Sequence, residues 1–400
     1  MHFRRVFLIV MDGVGIGALP DADAYGDAGS CTLGALTACG LRIPTLESLG
    51  IGNIPGAPSG IPPARPARAF FGRLAEQSPG KDSTTGHWEL MGVVRESMPR
   101  TFPHGFPRGL IQEFSRRIGR GVLGNRAASG TEIIAQLGCE HIRTGSVIVY
   151  TSADSVFQVA AHKDVVPLEE LYRICQLARE LLHGEYAVDR VIARPFVGSG
   201  ESGFQRTKER RDFSLPPPRN CLDTLVEAGV EVTLVGKLED MFAGRGFTRS
   251  FRTACNDETA GELSRLRRDG GGGFYFANFI DFDMLYGHRN DVEGFAKALS
   301  AFDGWLASFT DEWFDGDLLL LTADHGNDPA TPSTDHSREY VPLLVFRGEP
   351  LPGLAVADLG TRKTFADVGA TIVRCLGIDQ PGSPLAGQDF YANITAGLRR

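Results

Sequence analysis

No C-x-x-C pair occurs anywhere in this 400-residue chain, and its seven cysteines (Cys31, Cys39, Cys139, Cys175, Cys221, Cys255 and Cys375) are scattered and odd in number. That spacing excludes a disulfide framework as the organising device and predicts reduced, mostly buried thiols in a cytoplasmic protein. Long apolar runs are missing too, since none approaches the roughly 20 residues that span a bilayer. The opening MHFRRVFLIVMDG sets Arg4 and Arg5 before an apolar run, as a signal peptide would. The run covers only Val6–Met11 before Asp12, with no small-residue cleavage site, so no leader is expected. Positive charge is in deficit: 41 Lys and Arg against 49 Asp and Glu give a net charge of −8. Nucleic acid and anionic membrane prefer a basic surface, so neither is expected as a partner. No internal repeat is visible. The glycine run Gly270–Gly273 lacks the G-K-[ST] of a phosphate loop and reads as a connector before a strand.

What is present is an ordinary globular composition, 42% hydrophobic and 22% charged. Its length exceeds what one core usually organises, so more than one domain is expected. Short apolar runs alternate with helical patterns, the signature of an α/β fold with a mostly parallel central sheet flanked by helices. Strands are predicted at 6–10, 146–150, 190–193, 230–235, 274–280, 318–322 and 340–346. Helices are predicted at 168–183, with Gly184 as terminator, at about 294–313, and at 365–376 behind the capping hydroxyl of Thr364. Two proline-rich seams, Met98–Pro107 and Leu215–Pro218, bracket a block with its own strands and helices. It reads as an inserted α/β domain at 98–217, with the core formed by 1–97 and 218–400.

Aspartates and histidines fall where the predicted strands end. Asp12 closes the first strand, Asp283 and His288 follow FYFANFI, Asp324 and His325 follow LLLLTA, and His336 comes eleven residues later. Open α/β sheets place ligand crevices at such carboxyl ends. One aspartate after a strand is usually a turn former or helix cap. Three strand ends carrying this chemistry together are costly to bury without a cation. Three Asp and three His suit two divalent metals, and no cysteine joins them. Two such metals are a known solution for moving phosphoryl groups. Attention therefore turns to KDSTTGHWEL, residues 81–90, where a hydroxyl of Ser83, Thr84 or Thr85 could be activated as nucleophile. Helix capping by these hydroxyls remains open alongside, although Glu89 is one position out of register for a capping box from Thr85.

The segments D-G-V-G at 12–15, K-D-S-T-T-G-H-W-E, D-F-D-M-L-Y-G-H-R-N-D, T-A-D-H-G-N-D and T-D-H-S-R-E closely resemble the bacterial phosphopentomutase family of the alkaline phosphatase superfamily. Y-T-S-A-D-S-V-F-Q-V-A-A-H at 150–162 and V-I-A-R-P-F at 191–196 extend the likeness into the insert. The resemblance implies one metal on Asp12, Asp324 and His325 and a second on Asp283, His288 and His336, usually two Mn²⁺. It implies Thr85 as the phosphorylated residue. The implied reaction interconverts α-D-ribose 1-phosphate, or its 2-deoxy form, with the 5-phosphate. A 1,5-bisphosphate is the intermediate, and a sugar bisphosphate such as glucose 1,6-bisphosphate primes the enzyme. The insert would be a cap that excludes water. Ser152, Asp154, Arg194, Arg210 and Lys237 would bind the small-molecule pentose phosphate. Two departures stand out: Ser83 where the family commonly has Thr, and Glu209-Arg210-Arg211-Asp212-Phe213 where it commonly has Asn-Arg-His-Asp-Tyr. The second leaves both Arg210 and Arg211 available for phosphate. A metal-dependent phosphatase or phosphodiesterase of the same superfamily is the alternative reading.

Overall fold

A computed structural model describes residues 2–98, 100–152, 155–311, 313–348, 356, 358–379 and 385–396. The chain forms two compact units, Met1–Met98 with Pro217–Arg400, and Pro99–Pro216.

The first unit is built on an eight-stranded sheet in the order Arg249–Phe251, Val232–Val235, Gly273–Phe279, Arg5–Met11, Asp317–Thr322, Val341–Phe346, Phe70–Leu74 and Asp358–Arg362. The central strands are apolar on both faces because both are covered, and Arg5–Met11 is buried throughout. Its parallel register sets Met11 beside Phe279 and Val10 beside Thr322. Three strands therefore end level, and the residues following them meet. At the opposite end of the same strands, Arg5 and Asp317 form a buried ion pair. The parallel order breaks at Val341–Phe346, which runs antiparallel to both neighbours.

The second unit carries a six-stranded sheet: Val122–Ala127, Val147–Thr151, Val156–His162, Arg190–Ser199 and Gly203–Arg206 in order, with Arg211–Ser214 also paired to Arg190–Ser199. Apolar clusters cover both faces. Helices Arg108–Ile118 and Leu168–Leu181 pack on one, and helix Gly130–Thr144 on the other.

Several boundaries move from their expected places. The helix predicted to 183 ends at Leu181, because Leu182 leaves helical geometry at ψ 74°, and Gly184 instead opens a short 3-10 turn. The last predicted helix runs Ala366–Cys375, and Thr364 Oγ1 accepts from Ala366 N at 3.1 Å.

One buried histidine of the second unit gives a pH test. His141 donates from Nδ1 to Ser146 O at 2.6 Å and accepts at Nε2 from His162 N at 2.8 Å. Acceptance at Nε2 requires the neutral ring, and burial holds its pKa below the ordinary 6.5. A depressed histidine contributes stability that is intact above 6.5 and is lost as pH falls toward the folded-state value. Urea denaturation across pH 5 to 7.5 should show wild type losing stability faster on acidification than His141→Gln. Equal slopes would refute this assignment.

Candidate active site

Asp12 follows the Arg5–Met11 strand directly. Asp324 and His325 follow Asp317–Thr322 after one residue. Asp283 lies in a wide π turn, Phe282–Tyr286, and His288 in the 3-10 turn Gly287–Arg289 behind it. His336 comes from the loop that returns to bridge Gly326 with Ser337. All six residues converge. The donor atoms of Asp283, His288 and His336 lie within 4.8 Å of one another, as do those of Asp12, Asp283 and His325. Asp283 thus stands between the two groups, facing His288 Nε2 at 3.2 Å through Oδ2 and His336 Nε2 at 3.4 Å through Oδ1.

The expected trio of Asp12, Asp324 and His325 also lies together, with Asp324 Oδ2 3.3 Å and Asp12 Oδ1 3.5 Å from His325 Nε2. Asp324 Oδ1 accepts from Gly13 N at 3.1 Å, and its Oδ2 is 3.1 Å from His87 Nδ1. Gly13 sits at φ +78°, and a Cβ there would press on Asn327 and Asp283 at 3.2 and 3.3 Å, so D-G is needed as a pair.

The electrostatics favour a cation. Asp12, Asp283 and Asp324 are all buried. Asp12 Oδ1 and Asp324 Oδ2 have no aligned hydrogen-bond donor. Burial, then repulsion from Asp324 and Asp283, pushes the Asp12 carboxyl well above its usual range. Burial would raise Asp283 also, but His336 beside it and hydrogen bonds from His288 and His336 hold it well below. Burial would lower His336, yet Asp283 raises it to about 9. Uncompensated carboxylate oxygens among imidazoles fit hard divalent ions with mixed oxygen and nitrogen ligands.

The hydroxyl trio lies on helix Ser83–Leu90, which begins beside this cluster. The capping role expected of the hydroxyls belongs to Asp82: it accepts from Thr85 N at 3.1 Å and from Thr85 Oγ1 at 2.6 Å. Thr85 is buried with its hydroxyl fixed by that carboxylate. Ser83 also reaches the cluster, its Oγ 3.0 Å from His325 Nε2. Glu89, out of register for a capping box, accepts instead from Gln77 N, Ser78 N, Thr364 Oγ1 and Phe365 N. Arg338 holds the segment before the helix by donating to Ser78 O and Gly80 O at 2.8 and 2.6 Å.

A Cβ on Gly86 would lie 2.0 Å from Asp324 O, so this helix touches the Asp324 backbone with no room for a side chain. Gly86→Ala should therefore part the helix from the strand end, destabilising by about 1–3 kcal/mol and lowering turnover well beyond that loss. Thermal melts with kinetics check it; unchanged turnover would contradict the close packing.

Lys237 precedes helix Leu238–Met241, with its N donating to Asn278 Oδ1 at 3.1 Å and Nζ 3.2 Å from Met284 Sδ, next to Asp283. In the second unit, Ser152 follows the Val147–Thr151 strand, and Asp154 lies outside the described residues. Arg194 is half-buried and donates to Gln158 Oε1 at 3.0 Å. Strand pairing separates the two adjacent arginines. Asp212 pairs with Ile192 on the face of Arg194 and takes a bidentate contact from Arg210 at 2.7 and 2.6 Å. Arg211 pairs with Ala193 on the other face, 5.2 Å over the rings of Tyr172 and Phe213. Asn327, which donates to Asp283 Oδ1 at 2.6 Å, and His87 and Asp82 were not singled out for these roles from sequence. All three lie inside the conspicuous motifs, which was the only signal.

The family model of the metalloenzyme superfamily matches residues 4–380. The phosphopentomutase of Caldanaerobacter subterraneus subsp. tengcongensis is 54% identical over 381 residues, covering 94% of this chain and 95% of its own. Those of Anaeromyxobacter sp. strain K and Dictyoglomus turgidum are 54% and 51% identical, covering 98% and 99% of this chain and 99% of each relative. The chain belongs to the phosphopentomutase family. As a phosphopentomutase-family member it is an enzyme of the isomerase class with an alkaline-phosphatase-like α/β fold. The solved PH0037 protein of Pyrococcus horikoshii shares that fold at a TM-score of 0.50 and 15% identity, covering 96% of this chain and 100% of that one. Membership in the metalloenzyme superfamily agrees with divalent metals at the Asp and His cluster. No helix among the described residues is long and apolar enough to cross a membrane.

Proposed function

We propose that the chain interconverts α-D-ribose 1-phosphate, or 2-deoxyribose 1-phosphate, and the corresponding 5-phosphate in the cytoplasm, linking nucleoside catabolism to pentose phosphates. Thr85 carries the phosphoryl group. A sugar hydroxyl attacks phosphorus, the P–O bond to Thr85 breaks, and a 1,5-bisphosphate forms; Thr85 Oγ1 then takes the other phosphate. The observation that supports this most is the fixed Thr85 hydroxyl, held by Asp82 on a helix packed against Asp324 and touching His325 through Ser83.

Asp12, Asp283, His288, Asp324, His325 and His336 would hold two Mn²⁺. When bound, such ions neutralise charge on the transferring group and favour ionisation of the hydroxyl. The protein's own part is position: in-line displacement rewards a nucleophile already aligned. Ser152 and Asp154 would engage sugar hydroxyls, and Arg194, Arg210 and Lys237 would engage phosphate. Arg210 is favoured over Arg211 because it shares a face with Arg194.

The test is an assay with Mn²⁺, a priming amount of glucose 1,6-bisphosphate and ribose 1-phosphate. Ribose 5-phosphate should form with little free phosphate. Steady phosphate release without isomerisation would instead favour a phosphatase.

A further inference from the structure

On the helix Gly130–Thr144 side of the second unit's sheet, strand register aligns a row of polar side chains. Tyr150 pairs with Gln158, Gln158 with Ile192, Ala160 with Arg194, and Phe196 with Arg206. Paired residues share a face and alternate residues return to it, so Tyr150, Gln158, Arg194 and Arg206 all lie on one side. The cluster of Ile133, Ile134, Ile148, Ala160 and Phe196 fills the middle of that face. The polar ends emerge at the start of the helix. A Cβ on Gly130, its first residue, would lie 2.6 Å from Tyr150 Oη and 3.5 Å from Arg206 Nη1.

Three features leave this corner short of negative charge. Tyr150 is 1% exposed, and its hydroxyl has no hydrogen-bond partner. The N-cap, Ser129, makes no side-chain cap, so the first-turn amides of a 15-residue helix lack that acceptor. Among the described residues no acidic group pairs with Arg206 or Arg194, while Asp212 is engaged by Arg210. Arg194 is depressed first by burial and then by the nearby Arg210 and Arg206. A guanidinium at a helix N-terminus, further arginines on the same sheet face and an unused phenol donor match a tetrahedral oxyanion.

We propose that Tyr150, Arg206 and the first turn of helix Gly130–Thr144 complete, with Arg194 and Arg210, a pocket for a phosphate monoester on the second unit. The inference rests on the proposed function for the roles of Arg194 and Arg210, and it adds two phosphate-positioning residues to them. Tyr150 donates one hydrogen bond from a buried, rigid position. Arg206 supplies charge from an edge strand, where its side chain is exposed.

The test uses the full chain loaded with Mn²⁺ and measures ribose 5-phosphate binding by calorimetry alongside isomerisation kinetics. Arg206→Gln should weaken binding about ten-fold or more and Tyr150→Phe several-fold, because charge-assisted bonds to phosphate are the stronger class. KM should rise with kcat within about two-fold, and Arg206→Lys should recover part of the loss. Arg206 is exposed and Tyr150→Phe keeps the ring, so both variants should fold, which melting curves confirm. Unchanged affinity and KM in both variants overturn the inference even if isomerisation is normal. So does a wild-type chain that binds neither ribose 5-phosphate nor inorganic phosphate. Weakened binding in a chain that fails to isomerise sustains the pocket and sinks only the proposed reaction.

Discussion

Replacing Thr85 by alanine should lower isomerase turnover at least about a thousand-fold, the loss expected when a covalent nucleophile is removed. The fold should survive. Thr85 is fully buried and its hydroxyl bonds to Asp82, but Asp82 keeps its other bond to the residue 85 backbone. Loss of one hydrogen bond costs about 1 kcal/mol. Stability should thus fall slightly while activity vanishes. Incubation with labelled glucose 1,6-bisphosphate should label wild type and leave Thr85→Ala unlabelled. Thr85→Ser should keep measurable turnover, because a hydroxyl remains within reach of Asp82. Substantial activity in the alanine variant, or labelling of it at Ser83 or Thr84, would remove Thr85 from its role.

Stripping divalent ions should abolish turnover and lower the melting temperature by several degrees. A ligand that binds only the folded state adds about 2.7 kcal/mol per site at a hundred times its dissociation constant. The sharper test is Asp12→Asn. In metal-free protein Asp12 is an unfavourable carboxylate, raised by burial and by Asp324 and Asp283. Removing its charge should therefore raise the melting temperature of the metal-free chain at pH 7.5. Added Mn²⁺ should then stabilise the variant less than wild type, since one ligand oxygen is gone. The two effects have opposite signs. If Asp12→Asn destabilised the metal-free chain and left the Mn²⁺ shift intact, Asp12 would be an ordinary structural aspartate.

The convergence of Asp and His side chains was legible in sequence because the central strands are buried on both faces. Such strands read as unbroken apolar runs, and an aspartate terminating one is conspicuous. Arg5–Met11 followed by Asp12, and Asp317–Thr322 followed shortly by Asp324, show this plainly. Edge strands gave no such signal: no residue of Val122–Ala127 or Gly203–Arg206 is fully buried, and neither strand was anticipated. What holds Asp324 beside His325 was hidden: a bond from Gly13 N and the nearness of His87, contacts more than two hundred residues apart. Arg210 and Arg211 could not be separated until Asp212 was paired with Ile192, because an edge strand's register leaves no mark in its own sequence.

Glu89 is bonded to two backbone amides of the 77–78 segment and to Thr364 and Phe365, while Asp82 ties down the other end of the same helix. A rod pinned at both ends does not pivot. In the proposed reaction two different ends of one sugar would be presented to one hydroxyl, and such a helix would leave the motion to the substrate. The bisphosphate would turn end over end while Thr85 stays where it is.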